Sequence, residues 1–229
     1  MRINFHGAAH TVTGSQHLLE INGKKLLLDC GMYQGKRAEA YARNVNFKYA
    51  PSSVDAVILS HAHIDHSGNL PNLVKQGYVG NIFVTHATKD ITSTMLADSG
   101  HIQEADAEYV NKKRAQRGEE PVEPLYTKED AEDVAGMFAG VNYDEAFEPI
   151  PGVVARFFEA GHILGSAGVS LQTEEKGKKI HFCFSGDIGR YKMPLLRDPV
   201  LPTYADYMIM ESTYGDKSHN DPELAFKEF

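Results

Sequence analysis

The sequence lacks several features that mark whole classes of protein. It has only two cysteines in 229 residues, Cys30 and Cys183, so it has no disulfide scaffold and nothing requires an oxidising compartment. Its apolar runs are short, as at residues 56–59, which excludes a membrane-spanning helix. Residues 1–6 show no apolar core of the kind found in signal peptides. We therefore expect a cytoplasmic protein with no membrane partner.

Positive charge is also scarce. The chain carries 23 Lys and Arg against 31 Asp and Glu, a formal net charge of −8, which disfavours nucleic-acid binding over the whole surface. A local basic groove could still meet phosphate. Residues 112–117 form one basic cluster, although cations there also suit the C-terminal end of a helix. Histidine, by contrast, is abundant at 11 residues, and the positions of the histidines decide the interpretation.

The predicted elements run as strands, then helices, then strands again. Asn22-Gly23 predicts a two-residue hairpin, because both turn residues must take positive φ. Short apolar runs predict strands at 17–21, 25–28, 55–60, 81–85, 155–158, 168–173, 180–185 and 207–210. Helices are expected at 70–76, 104–116 and 127–140, the last opened by a capping box at Thr127. This order predicts a mixed α/β fold.

Four metal-competent side chains follow the predicted strand at 55–60: His61, His63, Asp65 and His66. In a loop that leaves a strand, His61 and His63 can converge on one ion, while the other two face a neighbouring ion. Imidazole and carboxylate are the ligands expected for Zn²⁺, with Mn²⁺ or iron as alternatives. The plain alternative is a solvated polar loop, which this density of ligands disfavours.

Two later segments place a ligand-type residue beside a glycine just past a strand. These residues are His162 and Asp187, and glycine permits the sharp turn and close approach that a site needs. Taken alone, His162 could equally be a buried histidine and Asp187 a turn aspartate. Together with the earlier histidines they could complete a three-nitrogen site and bridge it to a second ion. Asp29, which also ends a strand, could orient a ligand histidine or start a turn before Gly31.

In this order the residues resemble the motifs of the metallo-β-lactamase superfamily over nearly the whole chain: Asp29, His61, His63, Asp65, His66, His162 and Asp187. Two segments resemble its β-CASP branch of nucleic-acid-processing nucleases. Residues 7–15 are similar to the start of cleavage-and-polyadenylation-type ribonucleases, and residues 211–215 are similar to the acidic motif that opens the β-CASP domain. The resemblance implies a four-layer αββα sandwich, in which two mixed sheets face each other, helices lie outside and metal ions lie at one edge.

The resemblance also implies roles for the site residues. The implied ligands are His61, His63 and His162 for a first zinc ion, Asp65 and His66 for a second, and Asp187 as a bridge. Asp65 and Glu211 are the candidate catalytic residues, and Glu211 would help to transfer a proton to the leaving oxygen. The implied activity is zinc-dependent hydrolysis of phosphodiester bonds in single-stranded RNA. The enzyme could act as a homodimer or as a subunit of a processing complex.

The resemblance implies a domain organisation as well. Residues 1–210 would form the N-terminal portion of the metallo-β-lactamase domain, and residues 211–229 would start a β-CASP domain. In the family, the chain continues and then returns to complete the first domain, supplying a histidine partner for the acidic residue and a further ligand for the second metal. His219 follows Glu211 too closely for either role. We therefore expect a portion of a longer enzyme, with an incomplete sandwich and a weakened second metal site.

Two other functions fit part of the pattern. The metal site would equally serve a small-molecule hydrolase acting on a thioester, lactone or β-lactam, because it activates water for any of them. Only residues 11–15 and 211–215 favour RNA. A non-catalytic scaffold subunit of a processing complex should have lost ligands, whereas every ligand expected within this length is present. The ribonuclease is therefore the predicted function.

Overall fold

The computed structural model describes residues 1–217, so His219 and the expectations for 218–229 lie outside the described residues. The strands are β1 (Arg2–Phe5), β2 (His17–Ile21), β3 (Lys24–Leu28), β4 (Ala56–Ile58), β5 (Ile82–Thr85), β6 (Phe138–Val141), β7 (Phe147–Ile150), β8 (Val153–Glu159), β9 (Ala167–Glu175), β10 (Lys178–Phe184) and β11 (Tyr207–Ile209). The helices are α1 (Arg37–Val45), α2 (Ile64–Ser67), α3 (Leu70–Lys75), α4 (His86–Ala115) and α5 (Lys128–Ala135). A short 3₁₀ helix spans Pro51–Ser53.

The strands form two mixed sheets. The first has the order β1-β2-β3-β4-β5-β6, antiparallel up to β3 and parallel from there on. The second has the order β11-β10-β9-β8-β7, antiparallel except for the parallel pair of β10 and β11. The predicted hairpin between β2 and β3 is confirmed, since Asn22 and Gly23 take φ values of 50° and 79°.

The central strands of the first sheet are apolar at consecutive positions because both of their faces are buried. Leu27 and Val57 pack on the side of the helices, whereas Leu28 and Ile58 pack against the second sheet. Residues of α3, α4 and α5 complete the helix-side core. On the second sheet, outward side chains such as Val154 remain exposed. Residues 1–217 thus form the helix, sheet and sheet layers of the predicted four-layer sandwich.

Two helix predictions were partly wrong. Helix α4 begins at His86 rather than near residue 104, because the Thr85 hydroxyl accepts a hydrogen bond from the Thr88 amide and caps it. Helix α5 has the predicted capping box at Thr127 but ends at Ala135, and the next residues form β6 instead of continuing the helix to 140. Strand β7 was not predicted. No helix in the described part of the chain combines the length and apolar character needed to cross a membrane.

Candidate metal centre

The predicted site residues lie in loops and in the short helix α2 at one edge of the sandwich, where strands of both sheets end. Asp29 follows β3, the histidine-rich segment at 60–66 follows β4, His162 follows β8, and Asp187 follows β10. These strands point the same way within each sheet, so their carboxyl ends meet at the same edge. The loops touch closely: a Cβ atom on Gly31 would lie 1.6 Å from the Asp65 carbonyl oxygen. Glycine at 31 is therefore a steric requirement of the site.

Four side chains converge on one point. The ligand-type atoms of His61, His63, His162 and Asp187 all lie within 4.8 Å of one another. Nδ1 of His63 is 3.1 Å from His61 Nε2 and 3.2 Å from His162 Nε2. Oδ2 of Asp187 is 3.7 Å from His61 Nε2 and 3.5 Å from His162 Nε2.

These distances fit a metal ion better than they fit hydrogen bonds. A ring nitrogen carries at most one proton, so His63 Nδ1 cannot donate to both histidines that approach it. A tetrahedral Zn²⁺ with bonds of about 2.0–2.1 Å has ligand atoms about 3.3 Å apart, close to the spacing of this cluster. Three imidazoles and one carboxylate also match the ligand chemistry of zinc. The residues present therefore fit a divalent metal.

Asp65 and His66 lie beside this cluster. Nε2 of His66 is 3.3 Å from Asp187 Oδ1 and 3.9 Å from Asp65 Oδ2. The Asp187 carboxylate therefore faces the three histidines of the cluster with one oxygen and His66 with the other. This arrangement is compatible with a carboxylate shared between two neighbouring ions.

A buried carboxylate determines which nitrogen of two histidines faces the cluster. Asp29 is fully buried, and its Oδ2 lies 2.7 Å from His66 Nδ1 and 3.0 Å from the Ser60 hydroxyl. The Ser60 oxygen is in turn 3.0 Å from His61 Nδ1. A consistent network has both Nδ1 atoms donating, His66 directly to Asp29 and His61 through Ser60. In the neutral form of each ring, Nε2 is then unprotonated and available as a ligand.

The shifts in pKa keep most of the cluster in the deprotonated form that can bind a cation. Burial and the neighbouring histidines lower the pKa of His61 well below its usual value, and burial also lowers the pKa of His63. Burial opposes ionisation of Asp187, but His66 and the other histidines outweigh it and lower the carboxyl pKa. Burial likewise opposes protonation of His66, yet Asp29 and Asp187 raise its pKa to about 10 in the metal-free protein. A proton on His66 thus takes the place of a positive charge that a metal ion would supply.

Glu211 lies close to the cluster but touches backbone. Its Oε1 accepts a hydrogen bond of 2.6 Å from the Ile188 amide, directly after Asp187. Its own backbone amide donates a hydrogen bond of 3.1 Å to the Ser185 hydroxyl. Glu211, His66 and Asp187 line an open groove of about 500 Å³, which borders the four-residue cluster at Asp187.

Sequence reasoning missed several residues that hold the site. Ser60 was not assigned a role, although a hydroxyl directly before a ligand histidine is a usable signal. The Ser166 hydroxyl accepts a hydrogen bond from the His162 amide and fixes that loop. His17 lines the groove with its ring between Phe5 and Phe184. Its Nδ1 is buried and has no hydrogen-bond partner among residues 1–217.

Comparison with known proteins agrees with this geometry. The chain is 38% identical to Ribonuclease TTHA0252 of Thermus thermophilus over 100% of its own length and 47% of that protein. It is 34% identical to cleavage and polyadenylation specificity factor 73 of Drosophila melanogaster, over 95% of the chain and 29% of that protein. It is 30% identical to Endoribonuclease YSH1 of Eremothecium gossypii, over 93% and 26%. The chain thus spans less than half the length of these relatives. The sequence pattern of the metallo-beta-lactamase superfamily matches residues 11–214, and the chain therefore belongs to that superfamily.

Proposed function

We propose that this chain carries the metal centre of a zinc-dependent ribonuclease that hydrolyses phosphodiester bonds in single-stranded RNA. The observation that carries the proposal is the convergence of His61, His63, His162 and Asp187 on one point beside an open groove. Relatives named as a ribonuclease, an endoribonuclease and a cleavage factor support RNA as the substrate. Because the chain spans less than half of those relatives, we propose the activity for the whole protein.

The proposed ligands divide into two groups. His61, His63 and His162 would hold a first zinc ion, Asp65 and His66 would hold a second, and Asp187 would lie between the two. When bound, such ions supply a hydroxide nucleophile near neutral pH and polarise the phosphoryl oxygen. Asp29 and Ser60 keep the histidines in the tautomer that can bind metal. The groove beside Asp187 would admit the scissile phosphate.

Two carboxylates would take part in positioning water and in proton transfer. Asp65 is adjacent to His66 and would position the attacking water by accepting its hydrogen bond. Glu211 uses Oε1 to hold the Ile188 amide, and its Oε2 makes no hydrogen bond within residues 1–217. That free oxygen could share a proton with the departing sugar oxygen. We also propose that a further domain begins near residue 211. A cytoplasmic location and assembly as a homodimer or complex subunit stay predictions.

The test compares RNA with small substrates in the whole, zinc-loaded protein. We expect cleavage of a labelled single-stranded RNA, and Asp65→Ala should lower its rate by orders of magnitude while RNA binding persists. Asp55→Ala is the matched control, because Asp55 lies before β4, at the opposite edge of the same sheet. Full cleavage by Asp65→Ala would refute the two-metal mechanism. Turnover of a thioester or β-lactam without turnover of RNA would replace the ribonuclease with a small-molecule hydrolase.

A further inference from the structure

A second cavity, of about 530 Å³, adjoins the groove of the metal centre. The loop at residues 7–14 lines both spaces, and Thr11 contributes to both. The two ends of the loop lie close together, because a Cβ atom on Gly7 would lie 1.7 Å from the Gly14 carbonyl oxygen. The two spaces therefore share a compact wall, and a ligand longer than the groove could reach from one to the other.

The charge balance of this second cavity favours an anion. Its wall carries His6, Arg43 and Lys48 and the carboxylate of Glu39. Glu39 is already engaged, since it lies 2.6 Å from the Arg43 guanidinium and accepts a hydrogen bond of 3.3 Å from the Tyr33 hydroxyl. Lys48 makes no ion pair within residues 1–217, and Nε2 of His6 is buried there without a hydrogen-bond partner. Lys48 thus lacks a counter-ion among these residues.

The side chains of Lys48 and His6 are also neighbours. Burial lowers the pKa of His6, and the nearby charge of Lys48 lowers it further. A phosphate group presents several acceptor oxygens and a negative charge, and so can supply the counter-ion that Lys48 lacks. The protein itself offers no free carboxylate at this cavity that would do so.

Aromatic surfaces lie in the same cavity. The Arg43 guanidinium stacks at 4.1 Å over the centre of the Tyr33 ring, and the half-buried Phe47 lines another part of the wall. Aromatic rings and guanidinium planes are the surfaces on which unpaired nucleobases stack. A cavity of this size lies within the range that holds small ligands, and one nucleotide is such a ligand.

We propose that this cavity is an RNA subsite that binds one nucleotide away from the scissile bond. Lys48 would contact a backbone phosphate, and the base would stack against Tyr33 or Phe47. The inference rests on the proposed ribonuclease function and adds a second point of contact for the same strand. Lys48 would supply a positive charge to the strand in a chain whose net charge is −8.

The test measures binding of a hydrolysis-resistant 12-nucleotide single-stranded RNA to the whole, zinc-loaded protein by fluorescence anisotropy at several salt concentrations. Lys48→Gln should raise the Kd on the order of fivefold and make the slope of log K against log salt less negative by about 0.7. Lys178→Gln is the control, because this exposed lysine begins β10, at the edge opposite the metal centre. It should change neither quantity.

The possible outcomes are distinguishable. No effect of Lys48→Gln, or equal effects of both substitutions, overturns the subsite while leaving the ribonuclease proposal intact. Displacement of RNA by polyglutamate as effectively as by unlabelled RNA would assign the cavity to acidic protein segments and also overturn it. Failure of the whole wild-type protein to bind RNA at all, whatever residue is at position 48, would count against the proposed function itself.

Discussion

Substitution of Asp29 by asparagine should weaken metal binding without altering any proposed ligand. The carboxylate accepts hydrogen bonds at Oδ1 from the Ser60 amide at 2.8 Å and at Oδ2 from His66 Nδ1 and two serine hydroxyls. Asparagine retains one acceptor oxygen. If that oxygen keeps the Ser60 amide, an NH₂ group replaces Oδ2 and faces His66. His66 must then accept at Nδ1, which moves its proton to Nε2, the atom that faces Asp187 and Asp65.

The size of the effect follows from this tautomer change. Loss of an outer hydrogen-bond partner of a metal ligand typically lowers metal affinity by about 10–100-fold. Asp29 orients His61 through Ser60 as well as His66, so we expect the upper part of that range. Mismatched buried groups should also cost about 1–3 kcal/mol of stability in the metal-free protein. In a domain of this length that corresponds to a fall in Tm of about 2–4 °C per kcal/mol.

The assay is competition for zinc against a chromogenic chelator, with thermal unfolding in excess chelator as a separate measure of the fold. Asp55→Asn serves as the control, because Asp55 also accepts a backbone hydrogen bond, from the Lys25 amide, but does so at the far edge of the sheet. It should keep wild-type zinc affinity. The reasoning fails if Asp29→Asn lowers the Tm of the metal-free protein yet binds zinc as tightly as wild type does.

Three further predictions use other parts of the site. Ser60→Ala removes the acceptor of His61 Nδ1 and should lower zinc affinity about tenfold in the same assay, whereas Ser67→Ala, which loses only bonds to backbone carbonyls, should not. Burial lowers the pKa of His17 to about 4, so as the pH falls the unfolded chain protonates this histidine before the folded chain does. The free energy of unfolding of the zinc-free protein should therefore fall as the pH drops from about 6.5 to 4. His17→Phe should flatten this pH dependence, as measured by urea unfolding. Glu211→Gln should retain zinc and RNA binding but slow single-turnover cleavage by at least about 100-fold, and a wild-type rate would leave Glu211 with only a structural role.

The parts of the fold that follow local rules could be predicted from the sequence. Asn22-Gly23 fixed a hairpin and Thr127 fixed a helix start, because backbone dihedrals and capping depend on a few neighbouring residues. The first half of α4 could not be predicted in this way, since it contains Thr92 and Gly100, which are poor helix formers. Tertiary packing decides it: a Cβ atom on Gly100 would lie 2.7 Å from the backbone of Lys128, so glycine permits the close approach of α5.

The residues of the site also fall into those that could be predicted from the sequence and those that could not. The metal-competent residues could be predicted because their types and order are specific, and the structure brings His61, His63, His162 and Asp187 together. Their supporting hydrogen bonds could not be predicted, because a serine such as Ser60 has no distinctive spacing until the strands have been placed. The second cavity also could not be predicted from the sequence, because the segments that form its wall come together only when the loop at 7–14 is packed.

The centre joins parts of the chain that are far apart in sequence. His63 belongs to a loop of the first sheet and His162 to a loop of the second sheet, 99 residues later. Nδ1 of His63 nevertheless lies 3.2 Å from Nε2 of His162. An ion held by both would act as a crosslink between the sheets and would close a long loop of chain. Zinc should therefore slow amide hydrogen exchange at this edge of the sandwich more than at the opposite edge. Only molecules whose sheets have docked in register would retain the ion, so metal content would report correct folding as well as readiness for catalysis.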